Sequence, residues 1–137
     1  MKFLDLNGLK HLLKFMDRTV SVVSGNFQIN SHGRRDIPFI TNHQIISNNS
    51  SGNINVFNWF KGASEGGTLE IVSTGSSGGS LCGIDDTSTS IMYKMNVVGP
   101  NPPILDKCDS LTLSYNTYIR LIKLNGKLIV ACYIKNQ

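Results

Sequence analysis

The sequence predicts a mostly β fold: an antiparallel sandwich or jelly-roll-like domain preceded by one short N-terminal α-helix. Two observations carry this prediction. Only residues 5–17 show a helical period of apolar side chains, and beyond them the apolar period is two. The later segments are short and separated by clusters of Gly, Asn, Ser and Pro, which is typical of sandwiches and barrels. We therefore divide the chain into an amphipathic helix, residues 1–18, and a β-sandwich domain, residues 19–137.

The predicted helix has one apolar face and one polar face. Its apolar residues recur at spacings of three and four. An isolated helix of this length is marginal in water, so the apolar stripe is expected to dock, either on its own domain or on other copies. The stripe consists of Leu6, Leu9, Leu12, Leu13 and Met16.

Nine segments are candidate strands. The stretch from Gly62 to Gly83 holds seven of the thirteen glycines, and we interpret it as loops around one strand. The candidates are Thr19–Ser24, Phe27–Asn30, Ile37–Ile40, Ile54–Phe60, Thr68–Ser73, Ser90–Val98, Leu111–Tyr115, Thr117–Leu124 and Lys127–Ile134.

The last two candidates are predicted to form a hairpin. Asn125-Gly126 is the preferred pair for a two-residue type I′ turn, which places Ile122 opposite Ile129. Both faces of this hairpin are largely apolar, so we expect a second sheet, the helix or another subunit to cover the second face. One face carries Ile119, Leu121, Leu128, Val130, Cys132 and Ile134, and the other carries Tyr118, Ile122, Leu124, Ile129 and Tyr133.

Composition narrows the function. Charged residues make up 16% of the chain, below the roughly 25% of an average domain, and a surface of Ser, Thr, Asn and Gly suits contact with other subunits. The net charge is +4, but the basic residues are scattered, which argues against nucleic-acid binding. Three cysteines without a CxxC pair argue against a disulfide framework or a zinc site, and no cofactor is expected. No apolar run is long enough to predict membrane insertion.

Several motifs suggest chemistry and have simpler explanations. Gly75 to Gly79 fits the Gly-x-Ser-x-Gly pattern around a nucleophilic Ser77, but no helical pattern follows it, as a nucleophile elbow requires. Asp85-Asp86 could offer oxygens to calcium but lacks the alternating acidic spacing, so a plain turn is preferred. The three histidines, His11, His32 and His43, have no metal-ligand spacing.

The aromatic residues could form a sugar-binding surface. They are distributed over several strands, so core packing is the preferred interpretation. They are Phe57, Trp59, Phe60, Tyr93, Tyr115, Tyr118 and Tyr133.

Two stretches resemble a known family. The opening run from Lys2 to Leu12 is similar to the start of many tail-fibre and minor structural proteins of phages and prophages of gut bacteria. The run from Cys108 to Tyr115, with the hairpin after it, resembles the last strands of the β-domains that cap such fibres. The resemblance implies a homotrimeric β-rich domain without catalysis, with its helix near the three-fold axis. It also implies contact with a host surface, such as a glycan, or with a neighbouring virion protein.

We therefore expect a non-catalytic structural or binding domain of a tail-type assembly, with receptor binding as one role. It would act in the virion tail, or lie in the bacterial cytoplasm before assembly. A homo-oligomer is expected, with a trimer favoured. The alternatives are a soluble bacterial carbohydrate-binding module and, less favoured, a small serine hydrolase built on Ser77. The expected oligomer interface consists of Leu6, Leu9, Leu12, Leu13, Met16, Tyr118, Ile122 and Tyr133.

Overall fold

The structure is a computed structural model, and it describes the chain in five stretches. The N-terminal helix, the strand candidate Phe27–Asn30 and Ser77 lie outside the described residues. The described stretches are residues 19–23 (backbone only), 35–48, 52–74, 79–114 and 116–135.

The prediction of a mostly β domain is confirmed. The described residues form a seven-stranded large sheet, in the order β1-β3-β5-β10-β11-β7-β8, and a four-stranded small sheet, in the order β2-β4-β6-β9. The elements are β1 Thr19–Val23, β2 Arg35–Asp36, β3 His43–Asn48, β4 Ile54–Asn55, α1 Phe57–Gly62, β5 Thr68–Ser73, β6 Ser80–Cys82, β7 Met92–Asn96, β8 Ile104–Lys107, β9 Ser110–Thr112, β10 Thr117–Leu124 and β11 Lys127–Ile134.

The first six strands wind as coils. Odd-numbered strands lie in the large sheet and even-numbered strands in the small sheet, so the chain alternates between the two. β1, β3 and β5 pair in parallel, and each strand is offset from its neighbour by 25 positions, as in the pairs Thr19 with Gln44 and His43 with Thr68. β2, β4 and β6 also pair in parallel. This winding resembles that of a β-solenoid, in which each coil contacts its neighbours.

The expected antiparallel character of the domain is not confirmed, because both sheets are mixed. Among the described residues five ladders are parallel, and four are antiparallel. The antiparallel ladders involve β8, β9, β10 and β11, which follow the coils along the chain. A jelly roll consists of antiparallel Greek keys, so that finer prediction is not confirmed.

One hydrophobic core lies between the two sheets. Alternate residues of the large-sheet strands point into it, as Leu69 and Ile71 of β5 and Ile119 and Leu121 of β10 do. The small sheet contributes side chains to the same cluster, among them Leu81. A strand with one buried face buries every second residue, and this explains the apolar period of two in the sequence.

Neighbouring coils also contact each other through polar groups and backbone. The side chain of Asn55, in β4, donates to the carbonyl oxygen of Ile84 (3.0 Å) and accepts from its amide (3.2 Å). A Cβ added to Gly79 would lie 2.3 Å from the carbonyl oxygen of Gly52, so only glycine permits this close approach. No buried side-chain nitrogen or oxygen among the described residues lacks a hydrogen-bond partner.

The predicted strand Ile54–Phe60 was wrong beyond Asn55. The chain turns into the short helix α1, in which the amide of Phe60 donates to the carbonyl oxygen of Val56 (2.9 Å). The helical turn buries Trp59 completely and leaves Phe57 and Phe60 three residues apart with stacked rings, 6.5 Å between centroids. Burial of a large aromatic side chain outweighs the β preference of this segment.

The predicted strand Ile37–Ile40 is an irregular segment fixed by one side chain. The Oε1 atom of Gln44 accepts from the amides of Ile40 (2.9 Å) and Thr41 (3.3 Å), and its Nε2 donates to the carbonyl oxygen of Pro38 (2.9 Å). Gln44 is itself buried. Strands β2, β3, β6 and β8 were not among the candidates, and β6 lies in the stretch that we interpreted as loops.

The hairpin prediction is confirmed for the turn and for the strand register close to the turn. Asn125 and Gly126 both have positive φ, 53° and 70°, and Ile122 pairs with Ile129. The face assignment of the last residues was wrong, because a bulge shifts the register between Arg120 and Leu121. The extra residue turns the side chains beyond it to the opposite face. Cys132 and Ile134 therefore share the outer face, and Tyr133 packs against the core.

Candidate interaction surface

The face of the large sheet that points away from the core carries an apolar groove. The groove crosses β10, β11, β7 and β8 near the hairpin turn and has a volume of about 250 Å³. Three of its apolar side chains are substantially exposed, with Met95 at 60%, Leu105 at 44% and Leu124 at 43%. We call it the outer groove, and it is lined by Met95, Leu105, Leu124, Asn125, Lys127 and Ile129.

The register explains why these side chains meet. Met95 pairs with Leu105, Leu124 pairs with Lys127, and Ile129 pairs with Tyr93, so each pair presents two side chains to one face. A lysine can line an apolar face with its methylene groups while its ammonium group remains accessible. The Nζ of Lys127 lies 5.6 Å from the centroid of the Tyr93 ring. The lining of the groove is thus mainly apolar, with one lysine, Lys127.

A second apolar feature lies at the margin of the large sheet. β8 is the last strand of the sheet order, and none of the described residues pairs with its far edge. The connection from β7 to β8 exposes Val97 (70%) and Val98 (48%), and the first residue of β8, Ile104, is 50% exposed. We call Val97, Val98 and Ile104 the apolar edge. An exposed edge strand with apolar side chains is a typical site of association.

Next to the outer groove the same face becomes polar. The hydroxyl of Tyr118, on β10, donates a hydrogen bond to the carboxylate of Glu70 on β5. This hydrogen bond raises the pKa of Tyr118 to about 12, because ionisation would remove the donated proton. Arg120 pairs in register with Glu70, and its side chain is exposed.

The described residues that the sequence predicted for an oligomer interface lie on different faces of the large sheet. Tyr118 and Ile122 share the outer face and are half-buried. Tyr133 instead lies on the core side, where its hydroxyl donates to the carbonyl oxygen of Thr112 (2.8 Å). The other predicted interface residues, Leu6, Leu9, Leu12, Leu13 and Met16, lie outside the described residues.

Sequence reasoning missed several exposed apolar residues of the outer groove and the apolar edge. Met95, Val97 and Leu105 were assigned to no site. A signal was present, because Met95 and Val97 stand at alternate positions of the predicted strand Ser90–Val98, and alternate positions of a strand share one face.

The residues with suspected chemistry have structural partners. The Oδ1 atom of Asp85 accepts hydrogen bonds from the amides of Thr87 and Thr89, both at 2.9 Å, which closes a local turn and lowers the pKa of Asp85. His43 is hydrogen-bonded to Thr68 through its Nδ1 (2.8 Å). No group of three His, Cys, Asp or Glu in the described part of the chain could hold a metal ion.

The described aromatic residues are divided between the core and the outer face. Trp59 is completely buried, and its Nε1 donates to the carbonyl oxygen of Thr41 (3.0 Å). Tyr133 packs against the core, and Tyr118 and Tyr93 lie at different places on the outer face. The preferred interpretation of core packing is therefore confirmed for Trp59.

No protein-family model matches the chain, and comparisons with curated proteins and with solved structures found no match. Within the described residues, no helix has the length and hydropathy to cross a membrane.

Proposed function

We propose that this chain is a non-catalytic structural domain that works by associating with copies of itself in a larger assembly. The observation that supports the proposal best is the apolar edge. Val97 and Ile104 are at least half exposed, beside an edge strand without a neighbour in the described residues. Monomeric proteins tend to protect such edges with charges or bulges. In β8 the charged residues Asp106 and Lys107 stand at one end, whereas the other end carries the exposed apolar residues Ile104 and Leu105.

The assembly that we propose is a phage or prophage tail. Its support is the resemblance of the opening run, Lys2 to Leu12, and of the closing strands to tail-fibre and minor structural proteins. The low charge content also suits a chain that is largely covered by neighbouring subunits. We propose a homotrimer, since the same resemblance implies three-fold symmetry, and closed rotational symmetry buries a repeated surface on every copy.

The test is a mass measurement in solution. We expect light scattering on the full chain to give a trimer, against a monomer mass of 15.0 kDa. The double variant Val97→Lys/Ile104→Lys should give mostly monomer, because each copy would place two cations in the contact. The matched control is Thr112→Lys, an exposed position on the small sheet, which should remain trimeric. A monomeric wild-type chain, or a double variant that is still trimeric, would contradict the proposal.

A further inference from the structure

The backbone groups of β8 point alternately towards β7 and away from it. The amide of Cys108 donates to the carbonyl oxygen of Met92 (2.8 Å), at the end of the antiparallel ladder that joins β7 to β8. Hydrogen-bonded pairs in such a ladder recur at every second residue, so Asp106 and Ile104 also direct their N–H and C=O groups to β7. The residues between them direct these groups to the other side.

The free edge of β8 therefore presents the N–H and C=O groups of Leu105 and Lys107. None of the described residues pairs with this edge. The array ends at both sides, because Pro103 has no N–H to offer and the carbonyl oxygen of Asp109 accepts from the amide of Gly83 (3.1 Å). An added strand thus pairs over the short span from Leu105 to Lys107.

A second copy of β8 fits this edge poorly. An antiparallel pair of β8 strands that uses every outward group sets Leu105 opposite Lys107, and Asp106 of one copy then lies opposite Asp106 of the other. Like charges that lie directly opposite each other are destabilising. If Leu105 instead lies opposite Leu105, Lys107 comes opposite Pro103 and loses a donor. The sequence of β8 therefore disfavours antiparallel pairing with itself and favours a different strand.

The outer-face residues of β7 and β8 define the chemistry of that strand. Leu105 is 44% exposed and belongs to the lining of the outer groove, so it continues the apolar surface to the edge. Lys107 is exposed, and its charge is positive. The carboxylate next to it, Asp106, lies on the other face and accepts from Nδ2 of Asn96 (2.8 Å). An apolar residue beside Leu105 and a carboxylate beside Lys107 complement this face. The outer-face residues are Tyr93, Met95, Leu105 and Lys107.

We propose that the free edge of β8 binds an extended segment of a different protein, which joins the large sheet as an antiparallel strand. The segment has an acidic residue opposite Lys107 and, two positions later, an apolar residue opposite Leu105. Backbone hydrogen bonds supply affinity in this mode of recognition, and alternate side chains supply specificity. The pairing does not use the side chains of the apolar edge, so the inference goes beyond the proposed function.

A synthetic peptide tests strand addition on the full chain. The probe is the acetylated and amidated heptapeptide Thr-Thr-Glu-Val-Leu-Thr-Thr, titrated to about 5 mM so that millimolar affinities are covered. We expect saturable changes in the NMR signals of the Leu105 and Lys107 amides, together with slower hydrogen exchange at both. The amides of Ile104 and Asp106 should keep their exchange rates, because they already donate to β7.

Two N-methylated peptides are matched controls for the backbone pairing. In the antiparallel register the N–H groups of the peptide's Glu and Leu residues point to β8, and that of its Val residue points away. N-methylation at the Leu residue should weaken binding about tenfold or more, because it removes a hydrogen bond and adds a methyl group in the contact. N-methylation at the Val residue should weaken binding less than about twofold, because this N–H has no partner.

Charge exchange tests the place of the acidic residue. Replacing the Glu residue of the peptide with Lys should weaken binding about two- to fivefold, the range of an exposed ion pair. Lys107→Glu should restore the binding of this Lys peptide. Lys94→Glu is the matched control, since Lys94 is exposed on the other face of β7, and it should not restore binding.

Each outcome decides the proposal. Absence of saturable changes, or equal weakening by the two N-methyl groups, would overturn strand addition. Protection of the Leu105 and Lys107 amides that grows with protein concentration in the absence of peptide would also overturn it, because a second copy would then occupy the edge. Failure of Lys107→Glu to restore binding would overturn the acidic partner. A chain that is monomeric and still binds the peptide as expected would contradict the proposed function alone.

Discussion

Lys123 donates a hydrogen bond from its Nζ to the carbonyl oxygen of Ala63, 2.8 Å away, at the C-terminus of α1. The same ammonium group donates to the carbonyl oxygen of Phe60 (2.7 Å) and lies 4.4 Å from the centroid of the Phe60 ring. The last carbonyl groups of a helix have no intrahelical partner and carry partial negative charge, so a cation satisfies them well. One side chain of β10 thus ties α1 to the large sheet.

We predict that Lys123→Met destabilises the fold by about 1.5–3 kcal/mol. Methionine keeps most of the aliphatic stem but leaves two carbonyl groups without their charged donor. The measurement is urea unfolding followed by Trp59 fluorescence, since the single tryptophan is buried next to this contact. Lys135→Met, at an exposed position, should change stability by less than about 0.5 kcal/mol. Equal effects of the two variants would show that the contact is not stabilising.

The hairpin turn is held by a carboxylate from another loop. Glu65 accepts hydrogen bonds from the amides of Asn125 (2.8 Å) and Gly126 (3.2 Å). These hydrogen bonds to the charged form lower the pKa of Glu65 below its usual 4.5. The stabilisation is therefore complete above pH 4.5 and is lost as the pH falls through the lowered pKa.

We predict that hydrogen exchange at the amides of Asn125 and Gly126 responds to this titration. After correction for the intrinsic pH dependence of exchange, protection should decrease at a midpoint below 4.5, followed by NMR. In Glu65→Gln the protection should be lower and independent of pH between about 3 and 6, because glutamine does not ionise. A midpoint at or above 4.5 in the wild-type protein would contradict the hydrogen bonds as the cause.

The sequence was sufficient where local chemistry determines the structure. Strands β10 and β11 have the predicted bounds, because Asn125-Gly126 permits one tight turn and thereby sets the pairing of both strands. β5 also has the predicted bounds, since the alternating burial of Thr68 to Ile71 matches the alternation of polar and apolar residues in the sequence.

Long-range pairing could not be read from the sequence. The 25-position offset between β1, β3 and β5 has no matching sequence repeat. The coils share only the need for apolar residues that point inward, and this need does not specify the residue type. β3 contains His43, Gln44 and Asn48, and the polar Gln44 and Asn48 are buried and hydrogen-bonded. A polarity pattern therefore assigns β3 to a loop. The bulge after Arg120 is likewise set by the neighbouring strands, and it moved Tyr133 from the predicted interface to the core side.

The hydrogen bond of Tyr118 predicts that this tyrosine titrates at unusually high pH. The pKa of Tyr118 is raised from 10.0 to about 12, chiefly by the hydrogen bond to Glu70, so the neutral phenol is favoured in the folded protein. The resulting stabilisation is complete below pH 10 and is lost as the pH rises from 10 towards 12.

Absorbance near 295 nm should resolve this titration, because the chain has only four tyrosines. We expect a component with a midpoint near 12 in the wild-type protein and its loss in Tyr118→Phe. Tyr93→Phe should retain it, and Glu70→Ala should move it towards pH 10. If the wild-type and Tyr118→Phe curves differ only by a component near pH 10, Glu70 does not hold this proton in solution.

A substitution at Gly126 tests backbone strain without adding a steric contact. Its φ is +70°, and a Cβ added there would meet no atom within 4 Å, so a substitution acts through backbone conformation alone. We predict that Gly126→Val destabilises the fold by about 1–2 kcal/mol, since L-residues with a Cβ disfavour the left-handed region and β-branched residues tolerate it least. Gly126→Asn should cost clearly less, because asparagine occupies this region readily. Urea unfolding should show a lower midpoint for the valine variant with an unchanged slope, as expected when stability alone changes. Equal midpoints for valine and asparagine would mean that the turn relaxes into another conformation, and the register of β10 with β11 would then depend on Glu65 and cross-strand packing rather than on the turn.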